Sequence, residues 1–242
     1  MASITEVKIF DKPKKVFKAI AKEIFKLTQD STQPQINIAL SGGNSPKGLF
    51  KKISSKYADS IPWSRIHFWW GDERCVTRDS DESNYKMTND CLLSHISIPE
   101  ENIHRIKGEE NPAIEAERYA TEIKENLNSR GEIPVFDLII LGLGDDGHTA
   151  SIFPNQLEVF EDEKICTVAW HPITKQDRIT LTGRVLNNAS QVFFLVTGDN
   201  KAMRVSEIMN DDEEAKLLPA YYVSPKHGEL IWFLDEASAS KI

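Results

Sequence analysis

Asp146 and His148 stand two residues apart in "LGLGDDGHTAS", residues 141–151, on a frame made by Gly142, Gly144 and Gly147. An imidazole titrates near ~6.5, so it can take a proton from water at neutral pH. A carboxylate beside it can hold the ring. The stretch directly follows the apolar run "VFDLIIL" and so lies at the end of a strand. Three other readings use the same residues. The glycines fit G-x-G-x-x-G, the dinucleotide-binding fingerprint. That reading puts Asp145 and Asp146 where a pyrophosphate approaches, and like charges oppose it. It also needs an acid ~20 residues on at the end of the next strand, whereas Glu161, Asp162 and Glu163 precede the strand "ICTVAW". A metal site has Asp146 and His148 as ligands but no clear third, so none is expected. His148 as the cap of a following helix is the plainest reading. The catalytic reading accounts for the most residues.

Two further loops carry polar groups at strand ends. "ALSGGNSPKGLF" follows "INI". Gly42 and Gly43 permit a tight turn and close backbone approach to a ligand. Ser45 before Pro46 predicts a helix N-terminus capped by serine. Its free N–H groups and dipole favour an anion. With Ser41, Asn44 and Ser45, the loop reads as a nest for one phosphate, or simply as a capped strand-to-helix turn. It is neither a Walker A loop nor a nucleophile elbow. In "FWWGDERC", Asp72, Glu73 and Arg74 follow an aromatic strand. They are solvated loop charges, or Asp72 and Arg74 point into the same cleft, where an arginine can stabilise negative charge on a substrate oxygen.

These loops need a scaffold that brings strand ends together. Apolar runs at 36–40, 66–70, 136–141, 165–170, 178–182, 191–196 and 229–234 read as strands. Several are apolar throughout, as central strands covered on both faces must be. Between them lie amphipathic helices. Val16, Phe17, Ile20, Ala21, Ile24 and Leu27 form one stripe; Ala116, Tyr119, Ala120, Ile123 and Leu127 form another, in a helix opened by Asn111-Pro112. Alternating strands and helices predict an α/β fold with a largely parallel sheet. Such sheets bind ligands beyond the carboxyl ends of their strands.

The chain has 242 residues and a net charge of −8, which argues against a nucleic-acid partner but not against a small anion in a locally basic cleft. Cys75, Cys91 and Cys166 are odd in number and widely spaced, which fits a reducing, cytoplasmic setting. The sequence has no signal-like apolar core at its start and no apolar run of membrane-spanning length.

Taken together, "LSGGNSPKGLF", "WGDERCV", "SNYKM", "LGLGDDGHTASIFP", "RITLT" and "GDNKA" resemble the 6-phosphogluconolactonase family, in family order and across nearly the whole chain. The chain is similar, more distantly, to the glucosamine-6-phosphate deaminases that share the fold. The resemblance implies one three-layer α/β/α domain over residues 1–242, a soluble cytoplasmic hydrolase and no required cofactor. A monomer or small homo-oligomer is expected. The implied reaction is hydrolysis of 6-phosphoglucono-δ-lactone to 6-phosphogluconate in the oxidative pentose phosphate pathway.

The same resemblance makes His148 the general base, places Asp146 beside it, and puts Asp72 and Arg74 in the active site. It gives the phosphate to Ser41, Gly42, Gly43, Asn44 and Ser45, with Arg178 of "RITLT" and Lys201 of "GDNKA". One departure is Gly183-Arg184, where an apolar pair is expected; Arg184 is then a second arginine near the phosphate arginine. The rivals are a sugar-phosphate deaminase or isomerase, a non-catalytic sugar-phosphate-binding protein, and a nucleotide-dependent oxidoreductase. Deaminases of this kind carry Asn-Glu before the proline of "TASIFP". Ile152 and Phe153 stand there, and neither can carry a proton.

Overall fold

The apolar runs do become strands in the computed structural model, which describes residues 5–242. In chain order the elements are β1 (Glu6–Phe10), α1 (Pro13–Asp30), β2 (Ile36–Leu40), α2 (Asn44–Tyr57), β3 (Ile66–Trp70) and β4 (Asp72–Arg74). There follow α3 (Asn84–Cys91), β5 (Ile103–His104), α4 (Pro112–Asn126), the short strands β6 (Ser129–Arg130) and β7 (Ile133–Pro134), and β8 (Leu138–Leu141). The chain continues with α5 (Leu157–Glu161), β9 (Cys166–Trp170), β10 (Asp177–Leu181), α6 (Gly183–Leu186), β11 (Gln191–Val196), α7 (Ala202–Asn210) and β12 (Glu229–Asp235).

A seven-stranded sheet in the order β1-β12-β11-β8-β2-β3-β5 forms the centre. Its neighbours pair in parallel, and helices flank it. β2 and β8 are buried at every position, which explains why their sequences do not alternate. The predicted helical stripes face inward: Val16, Ile20, Ala21 and Ile24 of α1, and Ala116, Tyr119 and Ile123 of α4, are buried. Asn111 caps α4 as expected, accepting from the Ala113 and Ile114 N–H groups. No helix among the described residues is long and apolar enough to cross a membrane.

Two of the seven apolar runs leave the parallel sheet. β9 and β10 pair antiparallel with each other, and β10 with β4, in a second sheet of order β4-β10-β9. Residues 171–176 between them are far fewer than the dozen or more that a parallel crossover needs, so a hairpin is the only closure. Asp72–Arg74, read from sequence as a loop, is one edge strand of this sheet.

The two sheets are joined where the loops begin. The Gly71 N–H donates to the Leu40 carbonyl at 2.8 Å, and the Leu181 N–H donates to the Gly71 carbonyl at 2.8 Å. β5 is too short to pair with Trp70, so the buried Tyr119 hydroxyl stands in for a strand. It accepts from the Trp70 N–H at 2.8 Å and donates to the Trp70 carbonyl at 3.0 Å. That contact fixes the end of β3 just before Asp72.

Candidate active site

The carboxyl ends of β2, β3, β8 and β11 converge on one cavity of about 710 Å³. Every residue placed in the site from sequence lines it: Ser41, Gly42, Gly43, Asn44, Ser45, Asp72, Arg74, Asp146, His148, Arg178 and Lys201.

Asp146 and His148 form the pair that their spacing suggested. The imidazole Nδ1 lies 2.6 Å from Asp146 Oδ1, which also accepts from the His148 backbone N–H at 3.1 Å. Burial pushes the Asp146 carboxyl up, but the hydrogen bonds and charge of His148 outweigh it and hold the group at about 2. An ionised carboxylate only accepts, so Nδ1 carries a proton, and in the neutral ring Nε2 presents the lone pair. The glycines around the pair have different jobs. A Cβ at Gly144 would fall 2.1 Å from His148 Nδ1, and Gly147 has φ +87° with Leu218 against it. A Cβ at Gly142 would meet nothing within 4 Å. Gly144 is therefore the glycine that makes room for the carboxylate–imidazole pair. His148 caps no helix: the next residues form a tight turn in which Thr149 and Ile152 bridge.

The "SGGNS" loop differs in detail from its sequence reading. α2 begins at Asn44 with Gly43 as its cap, at φ +101°. Ser45 lies inside the first turn, and its hydroxyl bonds Thr197 across the cavity at 2.7 Å. Ser41 donates its hydroxyl to the Ile140 carbonyl at 2.7 Å and is buried. Ser41 thus ties the end of β2 to β8, and Ser45 ties the start of α2 to the end of β11. What the loop offers an anion is backbone N–H groups at the start of a helix. Gly42 is glycine because Asn84 fills the space; a Cβ there would lie 1.8 Å from Asn84 Oδ1.

Arg74 and Arg178 are direct partners across the β4–β10 ladder. Like charges placed opposite on adjacent strands repel. Burial, and then Arg74, hold the Arg178 guanidinium below its ordinary value. The Nε of each arginine is buried without a hydrogen-bond partner among the described residues. Two guanidinium groups thus face one cavity, which makes that part of its lining basic. Asp72 balances them, buried and accepting from Ser151 Oγ at 2.6 Å. Glu73, next to it, points away. Its carboxylate accepts from the Ser83 hydroxyl and from the backbone N–H groups of Arg74, Asn84 and Tyr85, pinning the start of α3. Burial pushes the Glu73 carboxyl up despite those bonds.

Lys201 pairs with Asp145, which also accepts from Asn200 Nδ2 at 2.8 Å. Arg204 Nε donates to the Asp145 carbonyl at 3.2 Å. Asp145 thus staples the loop bearing His148 to the loop bearing Lys201. Arg184 settles elsewhere: its guanidinium donates to the Glu163 carbonyl and it does not line the cavity. The unusual Gly183 exists because Phe160 covers it, with ring carbons 2.3 and 2.4 Å from where a Cβ would sit.

A family model described as glucosamine-6-phosphate isomerases/6-phosphogluconolactonase matches residues 11–232. The chain belongs to this family. It is 44% identical over 204 residues to the 6-phosphogluconolactonase of Haemophilus influenzae, covering 84% of this chain and 86% of that one. A solved structure of the devB protein superposes with a TM-score of 0.94 at 42% identity, covering 98% of this chain and 99% of that one. The 6-phosphogluconolactonase of Thermotoga maritima gives a TM-score of 0.82 at 34% identity, with 95% and 98% covered. The family fold is the mostly parallel seven-stranded sheet with flanking helices described above.

Asn84 and His171 are among the cavity residues that had escaped sequence reasoning. Asn84 donates its amide to the Asp72 carbonyl at 2.9 Å; its only signal was its place in "SNYKM". His171 lies in "AWHPITKQ", where a lone histidine carries no pattern.

Proposed function

We propose that this chain hydrolyses 6-phospho-D-glucono-1,5-lactone to 6-phospho-D-gluconate, the lactone step of the oxidative pentose phosphate pathway, in the cytoplasm. The observation that carries the mechanism is the Nδ1 contact of His148 with Asp146. It leaves Nε2 as the one basic nitrogen of that pair, beside two arginines in a cavity fit for a sugar phosphate.

In this reading Nε2 takes a proton from a water molecule as its oxygen adds to C1 of the lactone. The C1=O electron pair moves to the oxygen, and Arg74 stabilises that oxyanion. The pair then returns, the C1–O5 bond breaks, and the imidazolium gives its proton to O5. A positioned base supplies ~10²–10⁴-fold and oxyanion stabilisation ~10²–10³-fold. The helix start after "SGGNS", Arg178 and Lys201 hold the phosphate, which is remote from the broken bond and supplies orientation. Ile152 and Phe153 are fully buried, with Phe153 against the His148 ring at 4.9 Å. Neither can relay protons, which favours a single-base hydrolysis over amino-sugar ring opening and isomerisation.

The test is lactone hydrolysis with the spontaneous rate subtracted, for the natural chain and for His148→Ala. The expected result is turnover by the first, loss of most of it in the second, and no ammonia from glucosamine 6-phosphate. A His148→Ala chain with near-normal kcat rejects the base assignment. Ammonia release at a rate comparable with lactone turnover rejects the substrate.

A further inference from the structure

The cavity holds a second histidine whose chemistry is the inverse of His148. His171 opens the turn from β9 to β10. Its Nδ1 accepts from the backbone N–H groups of Ile173 and Thr174, both at 3.2 Å. A ring nitrogen that accepts has no proton of its own, so the proton of this neutral imidazole sits on Nε2. The two rings flank Phe153, with centroid distances of 4.9 Å for His148 and 5.2 Å for His171. One histidine therefore offers a lone pair from Nε2 and the other an N–H.

The turn is tightly closed. The His171 N–H donates to the Gln176 carbonyl and the Lys175 N–H to the His171 carbonyl, each at 2.9 Å. Asp177 and Arg178 follow at once in β10. His171 and Arg178 are thus carried by one hairpin and line one cavity. Burial first, then the charge of Arg178, disfavour protonation of His171, while Asp146 favours it less strongly. A neutral donor is what remains.

We propose that His171 is a phosphate-positioning residue: its Nε2–H donates to an oxygen of the phosphate that Arg178 holds, and it takes no part in proton abstraction. This rests on the functional reading above. It adds a directional neutral donor to a set of cations. A donor fixed by its own turn selects the phosphorylated lactone by geometry as well as by charge.

The test variant is His171→Asn. Asparagine can still accept from the two backbone N–H groups, as an Asx turn does, but its short amide does not reach the Nε2 position. The expected result is a KM for the phosphorylated lactone raised about tenfold to a hundredfold, the range for a lost hydrogen bond to a charged group. kcat should hold, and preference over unphosphorylated gluconolactone should fall by the same factor. Nitrogen-15 NMR of the natural chain should show a proton on Nε2 of His171 and on Nδ1 of His148. Inorganic phosphate, titrated by NMR without turnover, should bind the variant more weakly.

A fall in kcat at unchanged KM, equal losses on both lactones, or a proton on Nδ1 of His171 overturns the proposal. If the natural chain turns over neither lactone, the functional reading fails. The phosphate titration still decides His171 in that case.

Discussion

Gly144→Ala tests what the glycines of "GLGDDG" are for. The new methyl would lie 2.1 Å from His148 Nδ1, 2.4 Å from its Cε1 and 2.6 Å from Asp146 Oδ1. Comfortable contact begins near ~3.5 Å, so the ring has to retreat by more than about 1 Å. The 2.6 Å bond between Nδ1 and Asp146 does not survive that shift intact. A misplacement of this size costs ~10²-fold in rate, or ~2.7 kcal/mol of transition-state stabilisation. Overpacking costs ~1–3 kcal/mol of stability besides, so a melting curve has to accompany the kinetics. The control is Gly142→Ala. Its methyl meets nothing within 4 Å, and the backbone there lies outside the positive-φ region. The assay is lactone hydrolysis at saturating substrate, well below both melting temperatures. Gly144→Ala should lose about a hundredfold in kcat, and Gly142→Ala should behave as the natural chain. If Gly142→Ala is the damaging change, the frame serves close approach of a ligand to the backbone. The carboxylate–imidazole argument then fails.

Arg178→Ala should weaken recognition of the phosphorylated lactone by ~1.5–3 kcal/mol, read as kcat/KM, whereas Arg184→Ala should leave it unchanged; the reverse order would contradict the cavity lining. Away from the site, burial and then His104 hold the His67 imidazole down at about 4. The unfolded chain protonates it near ~6.5. The unfolded state therefore binds more protons between those values. The stability this group confers is present above ~6.5 and lost as pH falls through about 4. Urea midpoints from pH 7 to 4 should fall less steeply for His67→Gln, and an equal slope would exclude His67 as a contributor.

Much of this was legible in the residues. Apolar runs such as "INIAL" and "QVFFLV" announce strands because burial on both faces leaves no choice of side chain. The spacing of Asp146 and His148 announces their contact because two residues on a glycine turn cannot point far apart. Pairing partners were not legible. "ICTVAW" and "RITLT" look like any buried strands, and only the shortness of 171–176 separates a hairpin from a crossover. "DER" is too polar and brief to read as a strand, so the alignment of Arg74 with Arg178 was invisible. Ser45-Pro46 imitates a cap, but the helix starts earlier because Gly43 takes the positive φ. His171 acquires meaning only from two backbone N–H groups in its own turn, which no sequence pattern marks.

The strand order carries a consequence for how the protein is made. Among the described residues β1 pairs only with β12 in the central sheet, with Glu6 opposite Ile231. On the ribosome, β1 emerges before the other strands of this sheet and finds no partner until β12 follows. Its Val7 and Ile9 remain accessible even in the finished fold. Throughout synthesis β1 is an unpaired strand edge, the kind of segment that seeks other chains. Glu6 and Lys8 alternate with those apolar residues, and charge along a waiting edge discourages such encounters. Completion of the sheet is thus a late, long-range closure. Loss of β12 would strand both β1 and the exposed side of β11, whereas loss of β1 would uncover only one flank.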